Sequence, residues 1–397
     1  MLHDLMGDEA DLLLQALDEE PVTSVRINRR KPVVEFENTQ PVSWCKSGLY
    51  LNERPEFIFD PLLHAGTYYV QDASSMIYET VVDCILPLCS HERILKVLDL
   101  CAAPGGKTTA MINALPDGTQ VVANEFSPKR VGALKENLER WGYPCVTVTN
   151  KDTLFYAKQG EQFDIVAVDA PCSGEGMMRK EEVARTQWSP TLIEHCVGLQ
   201  REILTNAFSA LKPGGFLIYS TCTFNRHENE ENAEWLAQHF KMQNIDLSFP
   251  KEWDIPRGFN TGLSVYRFMP HKTRGEGLFL AVFKKPEFIS LEGTDDGEAL
   301  KETFEEKQVG RTKGNSVKTR PRFQTNPGSK EKSEYPKVNV DRETAIKYLQ
   351  GEAIMLPADT PKGLVSVCYR DFPLGDAKNI GSRANNLYPK NRRILKR

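Results

Sequence analysis

Short apolar runs alternate with amphipathic stretches along the middle of the chain, and the two patterns predict different secondary structure. The apolar runs predict strands over residues 96–101, 120–125, 145–149, 163–169 and 216–222. The amphipathic stretches predict helices over residues 108–115, 127–141, 192–211 and 228–240. Ser127 and Pro128 suit the N-cap and first turn of the second helix, and Pro213-Gly-Gly215 is expected to end the third. Strands that alternate with helices in this way are typical of an α/β fold, in which a parallel sheet carries helices on both faces.

The ends of the chain have other patterns. Two apolar runs, 264–268 and 278–283, are separated by a short glycine-containing loop, which predicts an antiparallel pair. Shorter elements are predicted outside this region, namely a helix over 11–17 and strands over 22–27, 48–51 and 364–369.

These patterns divide the chain into four parts. Residues 1–90 are expected to form an N-terminal domain and residues 91–285 the α/β domain. Residues 286–337 are rich in Lys, Glu, Gly, Thr and Pro, which predicts a linker or a poorly ordered segment. Residues 338–397 regain an apolar pattern and are expected to form a small appended domain.

Composition places the chain among ordinary globular proteins. Of its 397 residues, 40% are hydrophobic and 26% charged, which is typical of soluble domains. No apolar run approaches the roughly 20 residues that a membrane helix needs, and the N-terminus lacks the basic segment of a signal peptide. Nine cysteines are scattered without a C-x-x-C pair, so we expect reduced thiols, no metal site and a cytoplasmic protein without a membrane partner.

The net charge of −4 conceals an asymmetry. Residues 1–300 contain 29 Lys and Arg against 43 Asp and Glu, a balance of −14, whereas residues 301–397 contain 21 against 11, a balance of +10. A basic C-terminal part on an acidic body indicates a region that binds a polyanion. The alternative is a merely solvated surface.

A glycine-rich loop joins the strand over 96–101 to the following helix. Ligands of open parallel sheets bind at the carboxyl ends of the strands. Gly105 and Gly106 are expected to let a ligand approach the backbone, and the helix N-terminus beyond them favours a carboxylate or phosphate. The structural alternative is a tight turn between strand and helix.

Two ligands compete for this loop. Gly106-Lys107-Thr108 resembles the end of a P-loop, but that motif requires glycine where Cys101 stands. An adenosine-containing ligand would instead require an acidic residue after the next strand to bind ribose hydroxyls. Glu125 lies there, 19 residues beyond Gly106, and Asp152 follows the third strand, where it could meet an adenine amino group.

Two further strand ends carry candidate chemistry. Asp169 ends a buried strand and could coordinate magnesium or hydrogen-bond the edge of a base. Cys172, beside Pro171, and Cys222 follow adjacent strands and are expected to face one crevice. A buried cysteine is usually an inert packed thiol, but two thiols at neighbouring strand ends are hard to explain by packing.

Together these segments resemble the NOL1/NOP2/Sun family of RNA cytosine-5 methyltransferases. The resemblance lies in Asp99-Leu-Cys-Ala-Ala-Pro-Gly-Gly-Lys107, Asn124-Glu125, Asp169-Ala-Pro-Cys-Ser-Gly174, Ser220-Thr-Cys222, Arg267-Phe-Met-Pro-His271 and Glu276-Gly-Leu-Phe-Leu280. The N-terminal region resembles the family in Ser24-Val-Arg-Ile-Asn28 and Tyr69-Val-Gln-Asp-Ala-Ser-Ser75. The segment Phe372-Pro-Leu-Gly-Asp-Ala-Lys378 through Asn386-Leu-Tyr-Pro389 resembles the PUA-like ending of its bacterial ribosomal small-subunit methyltransferase F subgroup.

The resemblance implies a doubly wound, Rossmann-like methyltransferase sheet that uses S-adenosyl-L-methionine (SAM), with an N-terminal RNA-binding α+β domain and a PUA-like, β-rich RNA-binding domain. It implies that Cys222 is the nucleophile and that Cys172 helps to resolve the covalent adduct, with Asp169 holding the base and Lys107 orienting it. Physical chemistry alone leaves the choice of thiol open, because DNA cytosine methyltransferases attack with a Pro-Cys thiol. The residues expected to bind SAM are Cys101, Ala102, Ala103, Pro104, Gly105, Gly106, Lys107, Glu125, Arg130, Asp152 and Asp169.

The implied substrate is 16S ribosomal RNA near the decoding region, or the small ribosomal subunit, bound by a monomer. Two other classes of protein are possible from the sequence. One is a non-catalytic RNA-binding assembly factor with a vestigial SAM fold, which the presence of both cysteines disfavours. The other is a P-loop nucleoside triphosphatase, which Cys101 disfavours.

Overall fold

The computed structural model describes residues 2–89, 94–287 and 335–395. Within them lie three sheets, one in each of three regions of the chain. Residues 288–334 of the predicted linker lie outside the described residues.

The N-terminal region combines four helices with a small sheet. The helices are α1 (Leu2–Met6), α2 (Glu9–Ala16), α3 (Pro61–Ala65) and α4 (Ile77–Ile85). The strands are β1 (Ser24–Ile27), β2 (Gln40–Val42), β3 (Cys45–Tyr50) and β4 (Tyr68–Val70). The sheet has the order β2-β3-β1-β4, and all its neighbouring strands are antiparallel.

Local chemistry explains the boundaries of α3. The Asp60 side chain accepts a hydrogen bond from Leu62 N, and Pro61 occupies the first turn, so both features begin the helix. Gly66 ends it with φ of +71°, a left-handed conformation that favours glycine. A Cβ at Gly66 would lie 1.9 Å from the carbonyl oxygen of Arg140, so no other residue fits there.

The middle region is an eight-stranded α/β domain. Its strands are β5 (Lys96–Asp99), β6 (Gln120–Asn124), β7 (Val146–Thr149), β8 (Phe163–Asp169), β9 (Leu211–Thr221), β10 (Gln243–Asn244), β11 (Val265–Phe268) and β12 (Leu278–Lys284). The order is β10-β12-β9-β8-β5-β6-β7, with β11 also paired to β12. Strands β5 to β9 are parallel and β10 to β12 antiparallel, which confirms both predicted arrangements.

Helices cover both faces of this sheet. Those that follow the strands are α5 (Gly106–Ala114), α6 (Pro128–Trp141), α7 (Thr153–Ala157), α8 (Glu182–Gln187), α9 (Pro190–Ala210) and α10 (Glu230–His239). Alternate residues of β8 point to opposite faces, as a strand requires. Ile165 packs in one core with Val81 of α4 and Met111 of α5, while Val166 packs in the other with Leu204 of α9.

One local prediction is wrong and another is confirmed. Helix α9 ends at Ala210, and Pro213-Gly-Gly215 belongs to β9, whose pairing with β8 shifts register between Phe163 and Ile165. Gly214 has φ of +73°, so the glycines shape an irregular strand start and not a helix end. Ser127 stands at the N-cap of α6 and Pro128 in its first turn, as predicted, although the Ser127 side chain makes no capping hydrogen bond.

The C-terminal region packs against the N-terminal region. It contains β13 (Lys337–Asn339), α11 (Arg342–Leu349), β14 (Gly363–Tyr369), β15 (Phe372–Asn379) and β16 (Ala384–Asn386), in the sheet order β13-β14-β15-β16. One apolar core joins Val25 and Leu62 to Tyr348 and Val365. The two terminal regions therefore share a core although they lie far apart in sequence. No helix among the described residues is long and apolar enough to cross a membrane.

Candidate active site

A cavity of about 640 Å³ opens at the carboxyl ends of β5, β6, β8 and β9. This is the edge at which open parallel sheets bind ligands. The predicted site residues on its lining are Cys101, Ala103, Pro104, Lys107, Glu125, Arg130, Asp152, Asp169, Cys172 and Cys222. The structure thus brings together all but three of the residues that the sequence indicated.

The two candidate thiols lie side by side in this cavity. Cys172 follows β8 and Cys222 follows β9, and because these strands are parallel neighbours their ends are adjacent. The two Sγ atoms are 3.3 Å apart, and both cysteines are free. The prediction that both face one crevice is confirmed.

Two buried carboxylates hold the thiol-bearing loops together. Glu175 accepts hydrogen bonds from the backbone N–H groups of Phe224 and Asn225, and Glu228 accepts one from Ser173 N at 3.0 Å. Each carboxylate extends from one loop to the other. Gly176 N also donates to the carbonyl oxygen of Cys222 at 2.7 Å.

Neither Glu175 nor Glu228 is among the site residues predicted from the sequence. A sequence signal did exist, because acidic residues stand shortly after each cysteine. Glu228 also accepts from Gln200 Nε2 at 2.7 Å and Asn225 Nδ2 at 2.6 Å, so its buried charge is fully hydrogen-bonded.

The surroundings of the two thiols differ in charge. The hydrogen bond with Cys222 and burial raise the pKa of Cys172 well above its usual value, and the negative charges of Cys222 and Glu228 raise it further. Lys107, in contrast, is close enough to Cys222 for the two charges to interact favourably. A negative charge is therefore disfavoured on Cys172, whereas Cys222 has a positively charged neighbour in Lys107.

An ion pair lies beside the thiols. Lys107 Nζ is 2.7 Å from Asp169 Oδ2, and Ser220 Oγ donates to Asp169 Oδ1 at 2.7 Å. Burial alone would lower the pKa of Lys107, but the charge and hydrogen bond of Asp169 outweigh it and raise that pKa. Because an ammonium group contacts Asp169, electrostatic repulsion disfavours a magnesium ion at this carboxylate.

The opposite end of the cavity has the features of a nucleoside site. Glu125 is buried at the end of β6, where Oε1 accepts from Ser127 N at 2.8 Å and Oε2 from Ala103 N at 3.3 Å. Arg130 lies 3.5 Å from Glu125 and also donates to the carbonyl oxygen of Ala103. The carboxylate is thereby fixed at the cavity wall.

Asp152 and apolar side chains complete this end. Asp152 Oδ1 accepts from Leu154 N at 2.9 Å, so the residue caps α7 as well as lining the cavity. Phe126, Leu199 and Ile203 supply apolar surface, and Phe126 is 66% exposed.

Three predicted cofactor residues do not line the cavity, namely Ala102, Gly105 and Gly106. A Cβ at Gly105 would meet Leu134 of α6 at 3.3 Å, and one at Gly106 would meet Gln71 at 3.4 Å. The expectation that these glycines let a ligand approach the backbone therefore stays a prediction. The closer of the two contacts is at Gly105, which also supplies φ of +107° at the start of α5.

The sheet order, the strand-end cavity and a similar crystal structure define the class of protein. A methyltransferase homolog protein from Pyrococcus horikoshii has a TM-score of 0.61 and 27% identity, over 72% of this chain and 93% of that one. The fold is that of the Rossmann-like SAM-dependent methyltransferases, as the resemblance implied.

The chain belongs to the 16S rRNA methyltransferase RsmB/F family, whose model matches residues 84–284. Residues 1–73 match the N-terminal domain of 16S rRNA methyltransferase RsmF, and residues 335–394 match the methyltransferase RsmF PUA domain. This membership decides against a P-loop nucleoside triphosphatase.

Relatives named ribosomal RNA small subunit methyltransferase F match to different extents. That of Enterobacter sp. (strain 638) is 31% identical over 411 residues, which cover 88% of this chain and 83% of the relative. That of Pectobacterium carotovorum subsp. carotovorum (strain PC1) is 38% identical over 231 residues, which cover 55% of this chain and 47% of the relative. The second match spans about half of the relative's length.

Proposed function

We propose that this protein transfers a methyl group from SAM to carbon 5 of cytosine in RNA. The observation that carries the proposal is the pair of thiols, Cys172 and Cys222, with Sγ atoms 3.3 Å apart beside the ion pair of Lys107 and Asp169. Carbon 5 of cytosine is a poor nucleophile, and a thiolate that adds to carbon 6 makes it enamine-like. A site for this chemistry needs one thiolate, one proton-transfer group and a partner for the charge that develops on the ring.

The residues at the far end of the cavity fit SAM. Glu125 offers a carboxylate to ribose hydroxyls, Phe126 and Ile203 offer apolar surface to adenine, and Asp152 lies on the same wall. The cavity volume lies in the range of about 300–1,000 Å³ usual for ligand sites. SAM, when bound there, supplies an electrophilic methyl group.

Cys222 is the nucleophile in this proposal. Its sulfur forms a bond to carbon 6, and the ring gains negative charge at nitrogen 3 and oxygen 2. Asp169 and Lys107 lie where they can hold the base edge and balance that charge. After carbon 5 is methylated, loss of its proton breaks the bond from carbon 6 to sulfur and regenerates the Cys222 thiolate.

Cys172 assists the last step. Its high pKa keeps it protonated in the resting enzyme, so it does not compete as a nucleophile. Its position 3.3 Å from Cys222 places it next to the adduct, where it takes part in proton transfer as the adduct is resolved. This assignment agrees with the one that the family resemblance implied.

The substrate we propose is 16S ribosomal RNA near the decoding region, as naked RNA or in the small subunit. A cytosine in a duplex cannot reach a thiol inside a cavity, so the base must be unstacked. The N-terminal and C-terminal regions would then bind RNA outside the cavity. We expect a monomer that acts in the cytoplasm.

The experiment is bisulfite sequencing of ribosomal RNA from cells with and without the protein, together with transfer of radiolabelled methyl groups from SAM to total ribosomal RNA and to small subunits. The proposal predicts one or a few cytosines in 16S RNA whose protection disappears with the gene. No difference in either assay would reject it, and labelling of another base would reject the cytosine chemistry.

A further inference from the structure

Tyr78 is a buried tyrosine that contacts Ser220, a residue next to the candidate active site. It lies on α4, between the segments that match the N-terminal and methyltransferase family models. Its side chain is fully buried, and its hydroxyl is 2.8 Å from Ser220 Oγ. It does not line the cavity, so it cannot touch the substrate there.

A row of three contacts leads from this hydroxyl to the ion pair. Ser220 Oγ is 2.7 Å from Asp169 Oδ1, and Asp169 Oδ2 is 2.7 Å from Lys107 Nζ. Ser220 has one hydroxyl hydrogen, which it donates to the carboxylate. Its oxygen must therefore accept the hydrogen bond from Tyr78, and this fixes the direction of the whole row.

The tyrosine also contacts the other end of the row. Lys107 Nζ lies 5.9 Å from the centre of the Tyr78 ring, within the range of a cation–π interaction. Burial and the charge of Asp169 raise the pKa of Tyr78 well above its usual value, so its hydroxyl keeps the proton that it donates. One side chain thus holds both partners of the ion pair.

We propose that Tyr78, acting through Ser220, is a positioning residue that fixes the Asp169 carboxylate and so places Lys107 beside Cys222. A carboxylate rotates readily about its last bond, and each of its oxygens here has a defined partner. Without the Tyr78 hydroxyl, Ser220 loses the hydrogen bond that orients its own hydroxyl, and the Asp169 carboxylate can then rotate more freely. The inference rests on the proposed function, because it assigns a role within that site.

The test compares Tyr78→Phe with Tyr266→Phe. Tyr266 is a suitable control because it is also buried in the α/β domain, and its hydroxyl donates to Asp246 at 2.7 Å, away from the cavity. Tyr78→Phe is expected to lower kcat about three- to tenfold, the worth of one hydrogen bond, with little change in KM for RNA or SAM. Tyr266→Phe should leave kcat unchanged.

A double-mutant cycle separates positioning from general destabilisation. If Tyr78 acts through Ser220, the variant that carries Tyr78→Phe and Ser220→Ala should be no slower than Ser220→Ala alone, whereas independent effects would multiply. Ser220→Ala also serves if Tyr78→Phe fails to fold. Multiplied losses, or a Tyr78→Phe variant with the kcat of Tyr266→Phe, would overturn the proposal.

Alkylation by iodoacetamide distinguishes this inference from the proposed function, because it needs neither RNA nor SAM. The rate at pH 7 is followed by mass spectrometry of the peptide that contains Cys222. Tyr78→Phe should slow it because a displaced Lys107 stabilises the thiolate less, and Tyr266→Phe should not. If the natural protein methylates nothing, the proposed function fails and the alkylation rate still decides the role of Tyr78. An unchanged rate would reject that role.

Discussion

The Sγ atoms of Cys172 and Cys222 lie 3.3 Å apart, yet the two thiols have oppositely charged neighbours. Glu228 adds to the effects that keep the proton on Cys172, while Lys107 is the positively charged neighbour of Cys222. The motifs alone allow either cysteine to attack. The difference in surroundings supports Cys222 as the nucleophile and Cys172 as the proton-transfer partner.

This division of roles predicts different fates for two alanine variants. Cys222→Ala should abolish methylation without retaining RNA, because no bond to carbon 6 can form. Cys172→Ala should accumulate a covalent complex with RNA, because the adduct forms and is not resolved. Labelled RNA on a denaturing gel measures both. If Cys222→Ala gave the stable complex, the two roles would be reversed.

The centre of the sheet could be predicted from sequence because β5, β6, β8 and β9 are apolar runs with most residues buried on both faces. β8 was predicted over its full length, 163–169, and β5, β6 and β7 to within two residues. The strands β2, β4, β10, β13, β15 and β16 were missed. Five of these strands have two or three residues, which is too short for an alternating pattern to be visible. The sixth, β15, has eight residues but contains Pro373 and Gly375, which are rare in strands.

The candidate site could be predicted from sequence for those side chains that stand just after the carboxyl ends of the strands. Cys172 and Cys222 meet because parallel strands end at one edge of the sheet. The contact of Tyr78 with Ser220 spans 142 positions, and that of Glu228 with Ser173 spans 55. Such contacts depend on how helices pack on the sheet, which one sequence does not specify.

Glu125 is expected to be a major determinant of SAM affinity. A hydrogen bond from ribose to its carboxylate is worth about 1.5–3 kcal/mol, so Glu125→Gln should weaken SAM binding about ten- to 150-fold. Titration calorimetry measures the change, and RNA affinity should stay nearly constant. Glu136→Gln is the control, because Glu136 lies on α6 away from the cavity and pairs with Arg140. Equal SAM affinity of the two variants would rule out this role.

Asp99 should make the stability of the protein depend on pH. Burial raises its pKa to about 7 from an ordinary value of 3.8. Below about pH 4 the Asp99 carboxyl group is protonated in both the folded and the unfolded chain, so its burial does not lower the stability of the protein. As the pH rises to 7, Asp99 ionises in the unfolded chain before it does so in the folded one. The free energy of unfolding therefore falls by up to about 4 kcal/mol, and it stays lower at higher pH.

Asp99→Asn should therefore be more stable than the natural protein at pH 8, with the difference disappearing towards pH 4. The amide oxygen can still accept the hydrogen bond from Thr108. Asp246→Asn is a control of opposite sign, because hydrogen bonds from Tyr266 and Ser248 lower the pKa of Asp246 to about 2. It should destabilise the protein at pH 8. Melting temperatures of the natural protein and the two variants, measured from pH 4 to 8, test both statements. If the melting temperatures of Asp99→Asn and the natural protein changed in parallel with pH, the role of Asp99 would be contradicted.

The basic C-terminal region offers a test of RNA binding, but removal of the region would not be a clean experiment. Its apolar residues share a core with the N-terminal sheet, where Tyr348 and Val365 pack with Val25 and Leu62. Truncation after residue 337 would expose that core and destabilise the N-terminal region. Loss of RNA binding would then have two explanations, so substitutions on the surface are preferable.

Lys378 at the end of β15 and Arg383 just before β16 are exposed, and neither forms an ion pair with another described residue. If both contact phosphates, replacing them with alanine should weaken RNA binding and lower the slope of log affinity against log salt by about 0.7–0.9 for each contact. The melting temperature and SAM affinity should not change. Lys347→Ala is the matched control, because Lys347 is exposed in the same region but paired with Glu343. Binding measured at several salt concentrations decides the matter. A double variant with the salt slope of the control would show that these two residues are a solvated surface and not a phosphate contact.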